Sequence, residues 1–348
     1  MRIKLLVFVF ISFCISLSGQ IKDKTVIRGF IDIGSNYDVE NEKLSFQFGE
    51  QDLFITSDLT DKVSFLGESV LKYSPTSPTK FDVSLERAIF KYNYYKNHNF
   101  FAGKVHTALN YWNDTYHHGR LFFPTVGRPE MFNQNIIPLH TTGFGLSGQN
   151  LGNLKFGYTL MAGNGQGSTD IADDNQFKCY VAAVNFRPVE GLRVGLSGYF
   201  DQITGAVHVH STPTGTVAHQ HGTVTQQIYS GSLAYFKKNL EFLAEGSLAI
   251  NHTDSLGDKT TNAFYVYGGY RIKDIIIPYV RYDYVWYTQG EMFYTAPNNT
   301  EAIAGGIRYE MNYLTAIKLE YQYKRAAGVG SIKYAYTNNI FLQIAIGF

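Results

Sequence analysis

The chain has 348 residues, 30 Lys and Arg against 29 Asp and Glu, a formal net charge of +1, and 16% aromatic residues. The balanced charge argues against a nucleic-acid-binding protein, which needs a clustered basic excess, and the aromatic content excludes an intrinsically disordered chain. Two cysteines cannot build a disulfide scaffold. The length suits either two ordinary soluble domains or one large β-barrel.

Residues 1–19 have the layout of a secretory signal peptide. The basic residues Arg2 and Lys4 precede an apolar run over 5–17, and small residues follow it. A transmembrane helix is the alternative, but it needs about 20 consecutive apolar residues, more than this run provides. We therefore predict that residues 1–19 direct export and that residues 20–348 form the mature protein.

Alternation of apolar and polar residues with a period of two dominates the mature chain and predicts β-strands. No segment repeats convincingly at the helical period, and no apolar run after residue 20 is long enough for a membrane-spanning helix. Strands that cross a membrane escape hydropathy averaging because their outward apolar residues alternate with inward polar ones. The final strand is the clearest example, with apolar residues at Ile340, Leu342, Ile344, Ile346 and Phe348.

Short and long connections alternate along the whole chain. The predicted short turns are 59–62, 94–98, 150–153, 187–191, 237–239, 273–275 and 312–313. The predicted longer, more polar loops are 37–42, 74–80, 110–138, 164–175, 203–225, 252–261, 288–300 and 326–334. Seven turns and eight loops require 16 strands. Short turns at one rim and long loops at the other are typical of an outer-membrane barrel with periplasmic turns and extracellular loops, whereas a soluble β-sandwich has no reason to sort its connections.

The fold class predicted is therefore all-β, a 16-stranded antiparallel transmembrane barrel. Lipid offers no hydrogen bonds to strand edges, so the last strand must pair with the first, near residues 26–36. One strand, 81–93, changes the face of its apolar residues partway along. A β-bulge near Glu86–Arg87 would reconcile its two halves by inserting one residue.

The third loop, residues 110–138, is the longest and is rich in aromatic and apolar residues. A loop lying in water has no need of such residues, so this one is expected to pack against something. A 16-stranded barrel has a lumen too wide for its own side chains to fill, and it holds an aqueous channel. We predict that the loop folds inward and narrows the pore.

These features together resemble the porins of Gram-negative bacteria, and the resemblance covers the whole mature chain. The segments Phe90-Lys91-Tyr92, 101–104 and 110–113 are similar to porins related to the phosphate-selective group. The resemblance implies an outer-membrane location, a lipid surround, a third loop that dips into the barrel and a possible homotrimer. It also implies that barrel-assembly machinery recognises the C-terminal strand ending at Phe348.

Charged residues that line a lumen determine the selectivity of a pore. The strand register predicts inward bases at Arg28, Lys72, Lys104, Lys155, Arg193, Arg271, Arg281, Arg308, Lys318 and Lys324. It predicts inward acids at Asp32, Asp52, Glu68, Glu241, Glu245, Asp283, Glu310 and Glu320. Because an anion-specific pore should show an unbalanced basic ladder, this mixture departs from the phosphate-selective pattern. It favours passive diffusion of small hydrophilic solutes or ions.

Candidate constriction residues lie on the third loop and across the lumen from it. Those on the loop are Asp114, His117, His118, Arg120, Arg128 and Glu130; those across the lumen are Lys104, Arg281 and Arg308. Each is a charged or titratable side chain that could meet a solute at the narrowest point. For most single residues the alternative is a solvated lumen face with no individual role.

Two His-x-His pairs lie in the loop 203–225: His208, His210, His219 and His221. Neutral imidazole suits zinc, copper or nickel, and alternate residues of a strand point the same way, so metal capture is a hypothesis for this loop. The alternative, which we favour, is a polar surface loop.

No enzyme signature stands out. His252 and Ser255 are the nearest hydrolase-like pair, but no Gly-x-Ser-x-Gly motif and no phosphate-binding glycine-rich loop are present. We therefore predict neither catalysis nor a cofactor. An adhesin or structural barrel with a plugged lumen remains an alternative to the open channel.

Overall fold

The computed structural model describes residues 24–74, 77–116, 121–166, 173, 175–204, 207–212, 215–220, 222–291, 293–294, 298–331 and 333–348, with 207–212 and 215–220 described by their backbone. The predicted signal peptide, 1–19, lies outside these residues. Within them, the chain forms 18 strands and two short helices. The strands, β1 to β18 in order, are Lys24–Asp38, Lys43–Asp58, Val63–Tyr73, Phe81–Tyr95, His98–His106, His140–Leu151, Phe156–Gly163, Cys179–Phe186, Leu192–Ile203, Val207–Thr212, Gly215–Gln220, Val224–Lys237, Leu240–Thr253, Gly257–Tyr270, Ile276–Tyr287, Asn298–Asn312, Thr315–Gly328 and Ala335–Gly347.

Sixteen of these strands close into one antiparallel barrel, which confirms the predicted fold class. The barrel contains β1–β9 and β12–β18, each paired with its neighbours, while β10 and β11 pair only with each other. The ring closes where β1 pairs with β18, from Phe30 opposite Gly347 to Asp38 opposite Asn339. This closure confirms the predicted pairing of the first and last strands, and it leaves the barrel without a free edge.

The two faces of the wall differ in chemistry. Large apolar side chains such as Phe144, Leu160, Ile307 and Leu319 are exposed on the outside. Most charged side chains of the strands face inward. An apolar outer band around a polar interior is the pattern that a bilayer requires of a barrel.

The connections alternate in length much as predicted. Two to five residues join β2–β3, β4–β5, β6–β7, β8–β9, β12–β13, β14–β15 and β16–β17, all at one rim. Two predicted longer loops are wrong. Only residues 39–42 join β1 and β2, where 37–42 was expected, and β13 and β14 continue to a tight turn between Thr253 and Gly257, where 252–261 was expected. Polar residues there lie on strands that extend past the rim, and composition alone cannot distinguish such strands from a loop. The loop 203–225 contains the β10–β11 hairpin.

A β-bulge in β4 lies where the sequence predicts it. Glu68 on β3 is opposite Arg87, but the next residue, Ser69, is opposite Leu85. Glu86 is therefore the extra residue, and the apolar face of β4 is the same before and after it.

Two glycines permit a close approach of neighbouring strands where the wall leads into its longest connection. Gly103 on β5 lies opposite Gly143 on β6. A Cβ on Gly103 would overlap the carbonyl oxygen of Ala88, and one on Gly143 would overlap that of Ala162. Strands that approach this closely tolerate only glycine at the contact.

Both helices lie in the connection between β5 and β6, residues 107–139, which we call the inner loop. Helix α1 is Tyr111–Thr115 and α2 is Glu130–Asn133. No helix among the described residues has the length and apolar character that crossing a bilayer demands.

Candidate functional site

The inner loop packs against the inward face of the barrel through an apolar core of its own. Trp112, Phe123, Met131, Phe132, Ile136 and Ile137 are almost completely buried. The Trp112 ring meets Phe123 edge to face at 5.1 Å and Tyr265 of β14 at 5.8 Å, measured between ring centroids. Most of the aromatic residues that predicted packing of this loop thus contribute to the core, whereas Phe122 is exposed.

The first polar anchor of the loop is Glu245 on β13. Its carboxylate accepts hydrogen bonds from the backbone N–H of Trp112 at 2.9 Å and from that of Tyr111. The hydroxyl of Tyr265 donates a third bond at 2.5 Å. A carboxylate at the start of a helix satisfies N–H groups that have no partner within the helix, so Glu245 fixes where α1 begins.

The second anchor is Arg281 on β15, which is completely buried. Its guanidinium is paired with Asp283 at 2.8 Å and donates to the carbonyl of Gly127 at 2.7 Å and to the hydroxyl of Thr125. Asp283 in turn accepts the backbone N–H of Glu130 at 3.0 Å. The Arg281–Asp283 ion pair therefore binds the loop backbone in two ways: Arg281 donates to a carbonyl group, and Asp283 accepts from an N–H group.

A third anchor joins the loop to β16 and β17. Arg308 donates to the carbonyl of Pro124 at 3.0 Å and binds both carboxylate oxygens of Glu241, at 2.8 and 2.9 Å. Glu320 accepts the backbone N–H of Val126 at 3.0 Å, and Lys318 donates to the carbonyl of Thr125 at 3.2 Å. The loop is thus held against the wall by buried charges.

The predicted residues across the lumen have different environments. Arg281 and Arg308 face the loop, with side-chain exposures of 0% and 6%, so their observed contacts are those of loop anchors. Lys104 is half-buried on β5, opposite Ala88 and Thr142.

Among the predicted loop residues, Asp114 is 49% exposed and pairs with Arg193 at 2.8 Å. Glu130 is buried and pairs with Lys324 at 3.3 Å, and Arg128 is half-buried. His117, His118 and Arg120 lie outside the described residues.

Burial disfavours ionisation of the tyrosines at the start of the inner loop. Burial raises the pKa of Tyr111, and it raises the pKa of Tyr116 well above its ordinary value. The ring of Tyr116 lies 5.1 Å from that of Trp112. These hydroxyl groups therefore act as neutral members of the loop core.

The histidine pairs lie on the separate hairpin. His208 on β10 is directly opposite His219 on β11, His210 lies on the same strand as His208, and His221 is outside the described residues. Among the side chains that the structure describes, no group of three or more His, Cys, Asp or Glu converges as a metal site would. The side chains of this hairpin are not among them, so metal capture stays a prediction.

Sequence reasoning identified Glu241, Glu245, Asp283 and Glu320 as inward acids but missed their role as anchors. Glu245, Asp283 and Glu320 bind loop residues more than 100 positions away, and Glu241 acts through Arg308, which binds the loop. Nothing in a strand's alternation encodes such contacts. The one available signal was the loop itself, because a buried connection must find acceptors for its backbone N–H groups.

No protein-family model matches the sequence, and no curated protein is significantly similar to it. Solved structures do share its fold. The trimer form of OmpT, an outer membrane protein of Vibrio cholerae, has a TM-score of 0.66 at 14% identity and matches 94% of this chain and 99% of its own. The outer membrane channel DcaP of Acinetobacter baumannii has a TM-score of 0.64 at 12% identity, with 96% and 99% covered.

An anion-selective porin from Comamonas acidovorans is also similar, with a TM-score of 0.64 at 9% identity and 94% and 100% of the two chains covered. Identities this low relate the folds and carry no function across. The chain therefore has the closed barrel fold of these outer-membrane proteins.

Proposed function

We propose that the protein is a passive channel in the outer membrane of a Gram-negative bacterium, through which small hydrophilic solutes diffuse down their gradients. On this proposal, residues 1–19 direct export and are removed, and the short turns face the periplasm. The closed wall, its apolar outer face and its charged inner face support the proposal, because a bilayer pore needs all three. The solved structures of similar fold include a channel and a porin.

The observation that carries the proposal is the attachment of the inner loop to one side of the lumen. The anchors Glu245, Arg281 and Arg308 bind its backbone from three different strands. A loop fixed in this way narrows the lumen to a defined width, whereas an unattached loop would leave it variable. The loop therefore acts as the size filter, and the candidate solute contacts are Lys104, Asp114, His117, His118, Arg120 and Arg128.

Planar-bilayer conductance of the wild type and of a variant lacking residues 115–132 tests this function. We expect single-channel currents in the wild type and larger ones in the deletion variant, because the filter is gone. Deletion of the hairpin 207–220, which pairs with no barrel strand, is the control and should leave the conductance unchanged. Equal currents before and after the loop deletion would contradict the filter.

A plugged barrel is the second candidate, and the size of the buried aromatic core around Trp112 favours it. It predicts no conductance in the wild type and clear conductance once the loop is removed. A structural or adhesin role predicts none in either. Metal capture by the hairpin histidines predicts heat on titration of zinc that a four-histidine alanine variant lacks.

Assembly partners follow from the same proposal. One of the similar structures is described as a trimer, and native electrophoresis of the folded protein tests whether this chain also forms one. The backbone of Phe348 pairs with Gly29 of β1, and its ring is 57% exposed. Barrel-assembly machinery that reads this residue would insert a Phe348 deletion poorly in cells, although the purified variant should still fold in detergent.

A further inference from the structure

We infer that the pore prefers small anions over small cations, an inference that rests on the proposed channel function. By sequence the inward charges are mixed, which favours an unselective pore. In the structure, the inward acids and bases differ in solvent exposure. Most of the carboxylates are buried, whereas several of the cationic side chains are in contact with solvent.

Seven of the eight inward acids predicted from the register are buried. Their exposed fractions are 6% for Asp32, 0% for Asp52, 1% for Glu68, 5% for Glu241, 3% for Glu245, 1% for Asp283 and 1% for Glu320. Three further acids of the strands are buried as well: Glu50, Glu86 and Asp201. An ion in the lumen water cannot approach these carboxylates closely.

Their burial has a physical cause. Glu245, Asp283 and Glu320 accept backbone N–H groups of the inner loop, which covers them. Asp32 accepts the backbone N–H of Glu50 at 2.9 Å, and Glu68 lies beneath the guanidinium of Arg87. Much of the negative charge of the wall is therefore used to hold the structure together.

The exposed bases cluster on the part of the wall formed by β1, β3 and β4. Arg28 and Lys91 are exposed, and Lys72 is 61% exposed although it pairs with the buried Glu50 at 3.5 Å. Arg87 is 22% exposed and pairs with Glu68. Arg28 and Phe122 of the inner loop line a cavity of about 470 Å³. Lys91 on β4 is opposite Phe101 on β5, which belongs to the same apolar cluster as Trp112 of the inner loop. All of these positions face inward.

The inward carboxylates that stay accessible each have a basic neighbour. Asp82 is directly opposite Lys72, and Asp114 pairs with Arg193. Glu310 pairs with Arg271 and with Arg308. Within the described part of the chain, Arg28 and Lys91 have no ion-pair partner, so their charge is the one that a passing ion meets.

Three inward bases are buried with the acids and do not alter this balance. Arg281, Arg308 and Lys318 are 0%, 5% and 0% exposed and contact the loop. Their charge is matched by the carboxylates beside them. The accessible surface of the lumen is therefore more positive than the sequence count of inward charges.

The reversal potential in a tenfold KCl gradient across a planar bilayer measures this preference. One unit charge about 4 Å from an ion in water changes its local concentration about five-fold, so we expect a chloride-to-potassium permeability ratio of about three or more. The preference should weaken as salt rises, because the Debye length falls from ~10 Å at 0.1 M to ~3 Å at 1 M.

A variant with Arg28→Gln, Lys72→Gln and Lys91→Gln should lower the ratio to about one. The matched control removes the same charge at exposed turn positions, through Lys62→Gln, Lys238→Gln and Lys273→Gln, and should keep the wild-type ratio. Heat-modifiable migration in gels verifies that both variants are folded.

The outcomes separate the two claims. A wild-type ratio of one or below overturns the anion preference while the channel function stands. A ratio that survives in the lumen variant also overturns it, since the named side chains would not be the cause. Absence of conductance in every protein, including the loop deletion, overturns the channel function and the preference with it.

Discussion

The carboxylate of Glu245 accepts the backbone N–H of Trp112 at 2.9 Å, across 133 positions of sequence. This single contact joins the wall of the barrel to the start of helix α1, and the residues next to it complete the aromatic core of the inner loop. An inward acidic residue of the barrel wall can therefore hold a loop in place and need not contribute to the selectivity of the pore.

Replacing Glu245 with Gln tests this anchor. An amide keeps the shape but places an NH2 group against a backbone N–H, so about 1–3 kcal/mol of the free energy of unfolding should be lost. Guanidinium-induced unfolding in lipid vesicles measures the change, and single-channel recordings should become noisier. Glu190→Gln, on an exposed turn with Lys237 as its partner at 2.8 Å, is the control and should change neither quantity.

Removing Arg281 should be more costly. Arg281→Met leaves Asp283 buried without its cation, a change that destabilises proteins by about 3–5 kcal/mol. The double variant Arg281→Met and Asp283→Leu removes both charges and should regain part of that loss, although the loop bonds stay broken. A double variant less stable than the single one would show that the pair does not act as a unit.

The close approach of β6 and β7 at Gly143, at the base of the inner loop, predicts a steric effect. A methyl group at Gly143 would overlap the carbonyl oxygen of Ala162, so Gly143→Ala should cost about 1–3 kcal/mol of the free energy of unfolding, as overpacked sites do. Gly328→Ala is the matched control because nothing lies within 4 Å of its Cβ position. Equal stability of both variants would argue against the close approach of β6 and β7.

The two tryptophans report the inside and the outside of the barrel separately. Trp112 is 1% exposed in the loop core, whereas Trp286 is 42% exposed on the outer face of β15. The Trp112→Phe variant retains only Trp286, so brominated lipid in the vesicles should strongly quench its fluorescence. The Trp286→Phe variant retains only Trp112, and its fluorescence should be nearly unchanged. The reverse pattern would mean that the wall is oriented the other way round.

Several features could be predicted from particular residues. The alternation in the final strand, from Ile340 to Phe348, predicted a membrane strand, and the change of face in β4 predicted the bulge at Glu86. The aromatic residues of the third loop predicted that it packs. The tight turn between Thr253 and Gly257 was missed, because polar strand ends and loops have the same composition.

The candidate site was predicted less completely. Asp114 and Glu130 do lie on the loop beside the wall, but Arg281 and Arg308 act there as buried anchors. Strand register predicts which way a side chain points, but it does not predict whether other residues shield that side chain from solvent. Coverage comes from the loop, whose path the local pattern does not encode.

By itself, then, the order of residues predicted the 16 strands of the barrel, their antiparallel closure and the inward direction of most of the named charges, because alternation with a period of two is a local property of the chain. Lys155 is an exception, since it lies in the turn between β6 and β7. Which of those charges still touches water was decided only in three dimensions. Carboxylates such as Glu245 and Asp283 are covered by loop residues distant in sequence. Bases such as Arg28 and Lys91 stay exposed on β1 and β4, outside the strands β13, β15 and β16 whose anchors Glu245, Arg281 and Arg308 bind the loop backbone.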